Sequence, residues 1–352
     1  MKNSGLVMSG QQIPGERPTL KTIAFMTGLG VTTVSRALKD APDIGAETKE
    51  RVRLVADQIG YQPNRAGVRL RTGKTNVISL ILAMDEEMMG LTSHIVFGIS
   101  EVLASTSYTL VLTPYARDKD PMLPVRHILE TASADGVILS STEPDDPRIR
   151  LLTERNLPFA THGRTRMGIV HPYHDFDNAA YALEAVRRLA ARGRKRLALL
   201  KPPSKLTYCQ HMQDGFRRGM AEAGIGEAAF DEIDITAPLE QINLAAMRLM
   251  ASPDAPDGIV CGSAASAVAV ATAVETSGRK LGRDVDMVSK QPANLLRWFR
   301  PEIMTVNEDI HLAGRELAKA VLARIDGVPA EQLRTICLPD GRLVRDESRP
   351  DG

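Results

Sequence analysis

Short apolar strands alternate with helical stretches twice over beyond residue 76, and this alternation limits the fold more than any other feature of the chain. Strand and helix in alternation form parallel sheets joined by right-handed crossovers. The first set of predicted strands covers 77–82, 109–113, 136–140 and 159–161, and the second covers 197–200, 232–235, 258–261 and 285–288. Helices are predicted between them, notably over 178–192 and 264–276. Two such sets in tandem predict two similar α/β lobes, and the cleft between lobes is a common place for a small ligand.

The composition is that of an ordinary globular protein. The chain has 352 residues, of which 43% are hydrophobic and 25% charged, and no apolar run approaches the length of a membrane span. Its length indicates two or three domains. Residues 1–16 are polar and lack the cationic start and apolar core of a secretory signal, so we expect a disordered tail and a cytoplasmic protein. Three scattered cysteines without metal-ligand spacing agree with a reducing compartment.

The segment from Thr19 to Leu38 joins a short apolar helix to a second helix that carries hydroxyl groups and Arg36, with glycines on both sides of the turn. This pattern predicts a helix-turn-helix, whose second helix enters the DNA major groove. A third helix is predicted over 47–59, with apolar residues on one face, and Gly60 ends it.

Charge is distributed unevenly along the chain. Residues 17–75 contain 11 Lys or Arg and 5 Asp or Glu, whereas residues 76–352 contain 32 and 37. The positive charge therefore lies beside the helix-turn-helix, where DNA phosphates would be neutralised. A generic three-helix bundle with a solvated basic face is the alternative interpretation.

Several of these segments resemble one known family. Residues 19–38, 47–52, 60–64 and 70–76 are similar to the N-terminus of the lactose-repressor (LacI/GalR) family of bacterial transcription regulators. Shorter pieces resemble the effector-binding part of that family, at 135–138, 177–178, 215–216 and 300–306. The resemblance implies a dimeric regulator with a periplasmic-binding-protein-like core.

The N-terminal residues divide into two groups of predicted DNA contacts. At the start of the second helix, threonine hydroxyls can meet either kind of base, Val31 can pack on a thymine methyl, and Arg36 can bind a guanine or a phosphate. Residues 63–75 resemble the family's hinge helix, which orders on operator DNA and inserts a leucine, here Leu70, into the minor groove. Gly67 departs from the family pattern and weakens such a helix by about 1 kcal/mol. The predicted DNA contacts are Thr19, Val31, Thr32, Thr33, Ser35, Arg36, Asn64, Arg65, Arg69, Leu70 and Arg71.

The resemblance also implies an effector site between the lobes. Three positions depart from the common family pattern: Met212 stands in place of an arginine, Ser263 begins the replacement of an Asn-Asp pair, and Gln291 replaces an aspartate. The ligand implied is carbohydrate-like, with altered binding groups. The predicted effector contacts are His162, Arg164, Asp177, Tyr208, His211, Ser263 and Gln291. No metal or cofactor is predicted, because the cluster His162, His171, His174, Asp175 and Asp177 matches no zinc spacing.

The sequence thus predicts a helix-turn-helix domain and hinge helix joined to a two-lobed α/β core. The expected divisions are a tail at 1–16, the helix-turn-helix domain at 17–62, a hinge helix and linker at 63–75, and a core at 76–345, with lobe one at 76–176 and 308–328 and lobe two at 177–307 and 329–345. The expected function is repression of a catabolic or transport operon by a cytoplasmic homodimer that binds palindromic operator DNA, has no membrane partner, and responds to a small effector. The alternatives are an α/β enzyme, for which no catalytic motif is found, and a sugar-binding protein with an accessory basic helical module.

Overall fold

The structure is a computed structural model that describes residues 18–61, 73–84, 91–116, 118–230 and 232–345. The predicted tail and most of the predicted hinge, including the residues from Asn64 to Arg71, lie outside the described residues. Contacts divide the chain into two compact units, Met1–Thr75 and Asn76–Gly352.

Three helices form the N-terminal unit: α1 Leu20–Thr27, α2 Val31–Ala37 and α3 Ala46–Gln58. Thr19 begins α1 with a capping box, in which its hydroxyl accepts from the Thr22 N–H and the Thr22 hydroxyl accepts from the Thr19 N–H. Gly28 ends α1 in the left-handed conformation (φ 67°), which glycine adopts without strain. The small core consists of Ile23, Ala24, Val34, Ala37, Val52 and Ala56. The predicted helix-turn-helix fold is therefore confirmed.

The core unit contains alternating strands and helices, as predicted. Its described strands are β1 Val77–Met84, β2 Thr109–Ala116, β3 Gly136–Leu139, β4 Phe159–His162, β5 Tyr173–Phe176, β6 Arg196–Leu200, β7 Gly226–Glu227, β8 Gly258–Cys261, β9 Asp286–Gln291, β10 Met304–Asn307, β11 Arg334–Cys337 and β12 Leu343–Arg345. Its described helices are α4 Leu91–Leu103, α5 Met122–Thr131, α6 Pro147–Glu154, α7 Asn178–Ala191, α8 Thr207–Ala223, α9 Leu239–Ala251, α10 Ala264–Thr276, α11 Leu296–Phe299 and α12 Ile310–Ile325, followed by a 3₁₀ turn at Ala330–Leu333. None of the helices in the described ranges is long and apolar enough to cross a bilayer.

Two sheets define the two lobes. The first has the order β12-β11-β5-β4-β3-β1-β2, in which β12 alone is antiparallel to its neighbour, and the second has the order β10-β9-β8-β6-β7, all parallel. The chain passes from the first lobe to the second between β5 and α7, and returns between β10 and α12. We call these two segments the first and second crossings.

Close helix packing in each lobe depends on glycine. In the first lobe, a Cβ atom on Gly314 of α12 would lie 2.3 Å from the carbonyl oxygen of Ile95 on α4. In the second, a Cβ atom on Gly215 of α8 would lie 2.0 Å from the carbonyl oxygen of Ala179 on α7. Each pair of helices therefore touches backbone to backbone.

The predicted strand at 232–235 is wrong. These residues form a turn in which the Asp234 carboxylate accepts hydrogen bonds from the Thr236 N–H and hydroxyl. Ile233 and Ile235 pack on the core of the second lobe from this loop, so their apolar character reflects loop packing. The edge strand of this sheet is β7, which lies earlier in the chain.

The predicted assignment of residues 329–345 to the second lobe is also corrected. Strands β11 and β12 pair beside β5 in the first sheet, because β11 hydrogen-bonds to β5 along its length. Of the residues in β5, β11 and β12, only Phe176 at the end of β5 and Cys337 at the end of β11 reach the core of the second lobe.

Candidate functional site: a recognition helix and an interlobe cleft

Helix α2 has one buried face and one exposed face. Val34 and Ala37 are fully buried in the three-helix core. Val31 and Thr32 are exposed in the first turn, and Thr33 and Ser35 are half-buried. The periodicity of a helix therefore places the predicted base-reading residues outward, while the buried pair fixes the helix on its domain.

Arg36 extends from the same helix and is oriented by an acidic neighbour. Its guanidinium lies 2.6 Å from an Asp43 carboxylate oxygen, and both side chains are about half exposed. Nearby, hydrogen bonding and the charge of Lys49, together with the charge of Arg53, lower the pKa of Asp40. The Asp43 contact restricts Arg36 without burying it.

Five of the seven predicted effector residues lie where the carboxyl ends of β4 and β5 approach the N-terminal turns of α7 and α8, namely His162, Arg164, Asp177, Tyr208 and His211. Arg164 donates from Nε to Asp175 Oδ2 at 2.5 Å. His211, one turn into α8, is near these two charges, and burial is the main cause of its lowered pKa. Its Nδ1 atom is buried without a hydrogen-bond partner among the described residues. Asp177 caps α7 by accepting from the Ala180 N–H at 2.9 Å.

A buried ion pair that the sequence analysis did not single out lies beside these residues. Lys290 Nζ is 2.6 Å from Glu308 Oε2 and donates to Asn178 Oδ1 at 2.9 Å. The same ammonium lies 5.4 Å from the Phe176 ring centroid and 5.2 Å from that of Tyr208. A lysine so near two ring faces gains cation–π attraction in addition to the ion pair.

The carboxylate of Glu308 also reaches the first lobe. Its Oε1 atom is 3.6 Å from His162 Nε2 at the end of β4. Burial raises the pKa of Glu308, but the charge of Lys290 and the contact with His162 outweigh it and lower the pKa to about 2. The carboxylate is therefore ionised over the whole physiological pH range.

The lobes contact each other directly at the mouth of the cleft. The Thr207 N–H and hydroxyl both donate to the Thr142 carbonyl oxygen, at 2.9 and 3.2 Å. On the same side, Arg166 NH2 lies 3.0 Å from Asp214 Oδ2. We call these contacts the mouth latch.

Beside the latch, residues of both lobes, including Arg148 and Lys205, line a cavity of about 20 Å³, and none of the predicted effector residues lines it. This is about the space of one water molecule. This cavity is too small for a sugar.

Two predicted effector residues are engaged within their own lobe. The Gln291 amide is fully buried, donates to Asn307 Oδ1 at 2.9 Å and accepts from the Leu296 N–H at 3.1 Å. Ser263 caps α10 by accepting from the Ser266 N–H. Met212, at the position of the common family arginine, is fully buried in the second-lobe core.

The histidines that suggested a metal site have other surroundings. His171 is buried between the rings of Phe159 and Tyr173. His174 is hydrogen-bonded through Nδ1 to Thr335 Oγ1 at 2.9 Å, and burial lowers its pKa to about 4. Within the described ranges, no three His, Cys, Asp or Glu side chains converge to hold a metal ion.

A helix-turn-helix unit followed by two parallel α/β lobes with a cleft defines the class of ligand-responsive DNA-binding regulators, and sequence comparison identifies the family. Residues 19–64 match the bacterial regulatory proteins of the lacI family, and residues 186–348 match the periplasmic binding protein-like domain. The chain is 31% identical to the HTH-type transcriptional regulator RafR of Escherichia coli, over 91% of this chain and 96% of RafR. It is 30% identical to AglR of Rhizobium meliloti (strain 1021), over 87% of each chain. The chain belongs to the LacI family and is an HTH-type transcriptional regulator.

Solved structures show the same fold. The transcriptional regulator CelR in complex with cellobiose matches 93% of this chain and 98% of CelR with a TM-score of 0.65 and 24% identity. The lac repressor dimer bound to operator and the anti-inducer ONPF matches 89% of this chain and 94% of that one with a TM-score of 0.77 and 19% identity.

Proposed function

We propose that this regulator is a cytoplasmic homodimeric repressor that binds a palindromic operator, and that a carbohydrate-like effector in the interlobe cleft controls its operator affinity. The observation that carries the proposal is the combination, in one chain, of an outward-facing recognition helix and a cleft lined by polar groups from both lobes. The two solved structures agree with it, since one relative is bound to cellobiose and the other is a dimer on its operator. Because those relatives and the curated ones are regulators, we favour regulation over catalysis.

At the DNA end, the proposal assigns base reading to Val31, Thr32, Thr33 and Ser35, and gives Arg36 a guanine or phosphate contact. The capping Thr19 stands at the N-terminus of α1, where a phosphate is favoured by the helix dipole. The hinge contacts Asn64, Arg65, Arg69, Leu70 and Arg71 remain predictions from the family resemblance.

At the effector end, the proposal assigns ligand contacts to His162, Arg164, Asp177, Tyr208 and His211. The Nδ1 atom of His211 has no hydrogen-bond partner within the described ranges, and a hydroxyl-rich ligand has the donors and acceptors to satisfy it. Ser263 and Gln291 reach a ligand only by exchanging their present partners.

The DNA assignment is tested with operator sequences selected from randomised DNA by the full chain. We expect a two-fold symmetric site. Arg36→Ala should then weaken binding by roughly 1–3 kcal/mol and relax base preference at one position of each half-site. Fluorescence anisotropy with the selected site and with single-base variants measures both effects.

Arg53→Ala is the matched control, because it removes the same charge from α3 in the same domain. Equal affinities of the Arg36 and Arg53 variants for every sequence would contradict a base contact by Arg36.

The effector assignment is tested by a thermal-shift screen with cellobiose, other neutral sugars, polyols and sugar acids, followed by anisotropy with any stabilising compound. If stabilising sugars leave operator affinity unchanged, the proposed control is wrong.

A further inference from the structure

The ion pair between Lys290 and Glu308 is placed at both points where the chain passes between the lobes. Asn178 begins the second lobe after the first crossing, and Glu308 follows β10 in the second crossing. Lys290 Nζ is bonded to both, at 2.9 and 2.6 Å. One ammonium group from the end of β9 therefore holds the two crossings together.

The network continues on either side of this ammonium. Asn178 Nδ2 donates to the Phe176 carbonyl oxygen at 3.0 Å. The side-chain amide of Asn178 therefore bonds the backbone before the first crossing through Nδ2 and Lys290 through Oδ1. Glu308 Oε1 faces His162 at the end of a first-lobe strand. Tyr208, whose ring lies against the ammonium, directly follows Thr207, which makes the interlobe hydrogen bonds of the mouth latch. These contacts thus link β9, both crossings, β4 and the first turn of α8.

Lobe closure in two-lobed proteins takes place by rotation about the few backbone residues that join the lobes. Hydrogen bonds between the joining segments limit that rotation. Such bonds are stronger when one partner is charged and the group is shielded from water. Both side chains of the pair are only about one-tenth exposed, so solvent and salt screen them weakly.

We propose that Lys290 and Glu308 are positioning residues that lock the two crossings together and set the angle between the lobes. The pair acts through the crossings and through Tyr208 rather than through DNA, and it gives this regulator a bias towards the closed cleft before any effector arrives. The inference rests on the proposed function only in that lobe angle is what an effector changes.

The test measures the lobe angle in the full chain without effector. One nitroxide is attached to Glu130→Cys on α5 and one to Ala221→Cys on α8, both at exposed positions in different lobes. The native Cys209, Cys261 and Cys337 are buried, and burial raises the pKa of each thiol to about 11 or 12, so they label slowly. Labelled chain is diluted with excess unlabelled chain so that distances between subunits do not contribute. Pulsed electron–electron double resonance then measures one interlobe distance.

Lys290→Met and Glu308→Gln should each shift the distance distribution to longer values and broaden it. The double variant should shift it no further than either single variant, because both remove the same lock. Lys290→Arg, which keeps the charge, should retain most of the short-distance population. If Lys290 served only the stability of the fold, Lys290→Arg and Lys290→Met proteins of equal stability would show the same distance distribution.

Asp286→Asn is the matched control. It breaks a buried ion pair with Arg192 and Arg194 at the opposite end of the same strand, β9, within the second lobe. It should lower the melting temperature and leave the interlobe distance unchanged. An unchanged distance in folded Lys290→Met and Glu308→Gln, or an equal shift in Asp286→Asn, overturns the proposal.

Glu308→Gln keeps the shape of the side chain and decides the question if Lys290→Met does not fold. If neither variant folds while Asp286→Asn does, the pair belongs to the folding of the core, and the proposal is likewise overturned. Because no ligand is used, failure of every sugar to bind would contradict the proposed function and leave this result standing.

Discussion

His174 is a residue held neutral by its surroundings. Its side chain is buried, its Nδ1 atom is bonded to Thr335, and burial lowers its pKa to about 4, whereas the same side chain in an unfolded chain has a pKa near 6.5. Between these two values the unfolded chain binds a proton that the native chain does not. Stability conferred by neutral His174 is therefore fully present above about pH 6.5 and is lost as the pH falls towards 4.

We predict that His174→Asn reduces the pH dependence of unfolding of the core. Wild-type protein should lose up to about 3 kcal/mol from this residue between pH 6.5 and 4, in addition to losses from His171 and His211, whose pKa values burial also lowers. Urea unfolding followed by circular dichroism at several pH values measures the slope. His127→Asn, on the exposed face of α5, is the control, and a slope equal to wild type in the His174 variant would show that His174 titrates normally.

Single residues differed in how well the sequence predicts their surroundings. Thr19 and Asp177 stand at helix starts, where a side-chain oxygen accepts a hydrogen bond from a backbone N–H, and both cap their helices. Lys290 was missed although a signal existed, because it lies two residues after the predicted apolar strand 285–288, in a strand that is buried at every position. Its partner Glu308 is 18 residues away, and no local pattern connects the two.

At the scale of elements, backbone contact between helices is the feature most sensitive to a single atom. We predict that Gly314→Ala destabilises the first lobe by about 1–3 kcal/mol, because the new methyl group overlaps the Ile95 carbonyl oxygen and forces α4 and α12 apart. Thermal unfolding provides the measurement. Ser100→Ala, at an exposed position of α4, is the control, and a Gly314 variant as stable as this control would contradict the close packing.

Element prediction succeeded where length and pattern agreed. Helix α10 occupies the predicted range 264–276, and α7 begins at the predicted residue 178. Strands β5 and β11 were not predicted, because each has four residues and mixes charged with apolar side chains, as in Tyr173-His-Asp-Phe176. Their identity as strands depends on pairing with each other across 161 residues of sequence, which local pattern does not contain.

At the scale of the whole molecule, the mouth latch and the Lys290–Glu308 pair act on the same motion of the lobes. We predict that Asp214→Asn increases the open population of the effector-free chain by up to about fivefold, since an exposed ion pair contributes up to about 1 kcal/mol. The nitroxide pair at positions 130 and 221 measures it, and the effect should decrease at high salt. Glu184→Gln, which removes an exposed ion pair with Arg188 inside α7, is the control; equal distributions in both variants would exclude the latch.

The order of strands in the first sheet has a consequence for synthesis on the ribosome. The second lobe is encoded continuously from Asn178 to Asn307, but the first sheet receives β11 and β12, and its core receives α12, only from residues that follow 307. The second lobe can therefore fold before the first, which has an open strand edge on β5 until β11 has been synthesised. Stalled chains released at residue 307 should give a protease-resistant second lobe and a fully digested first lobe, and a resistant first lobe would show that it closes without its final strands.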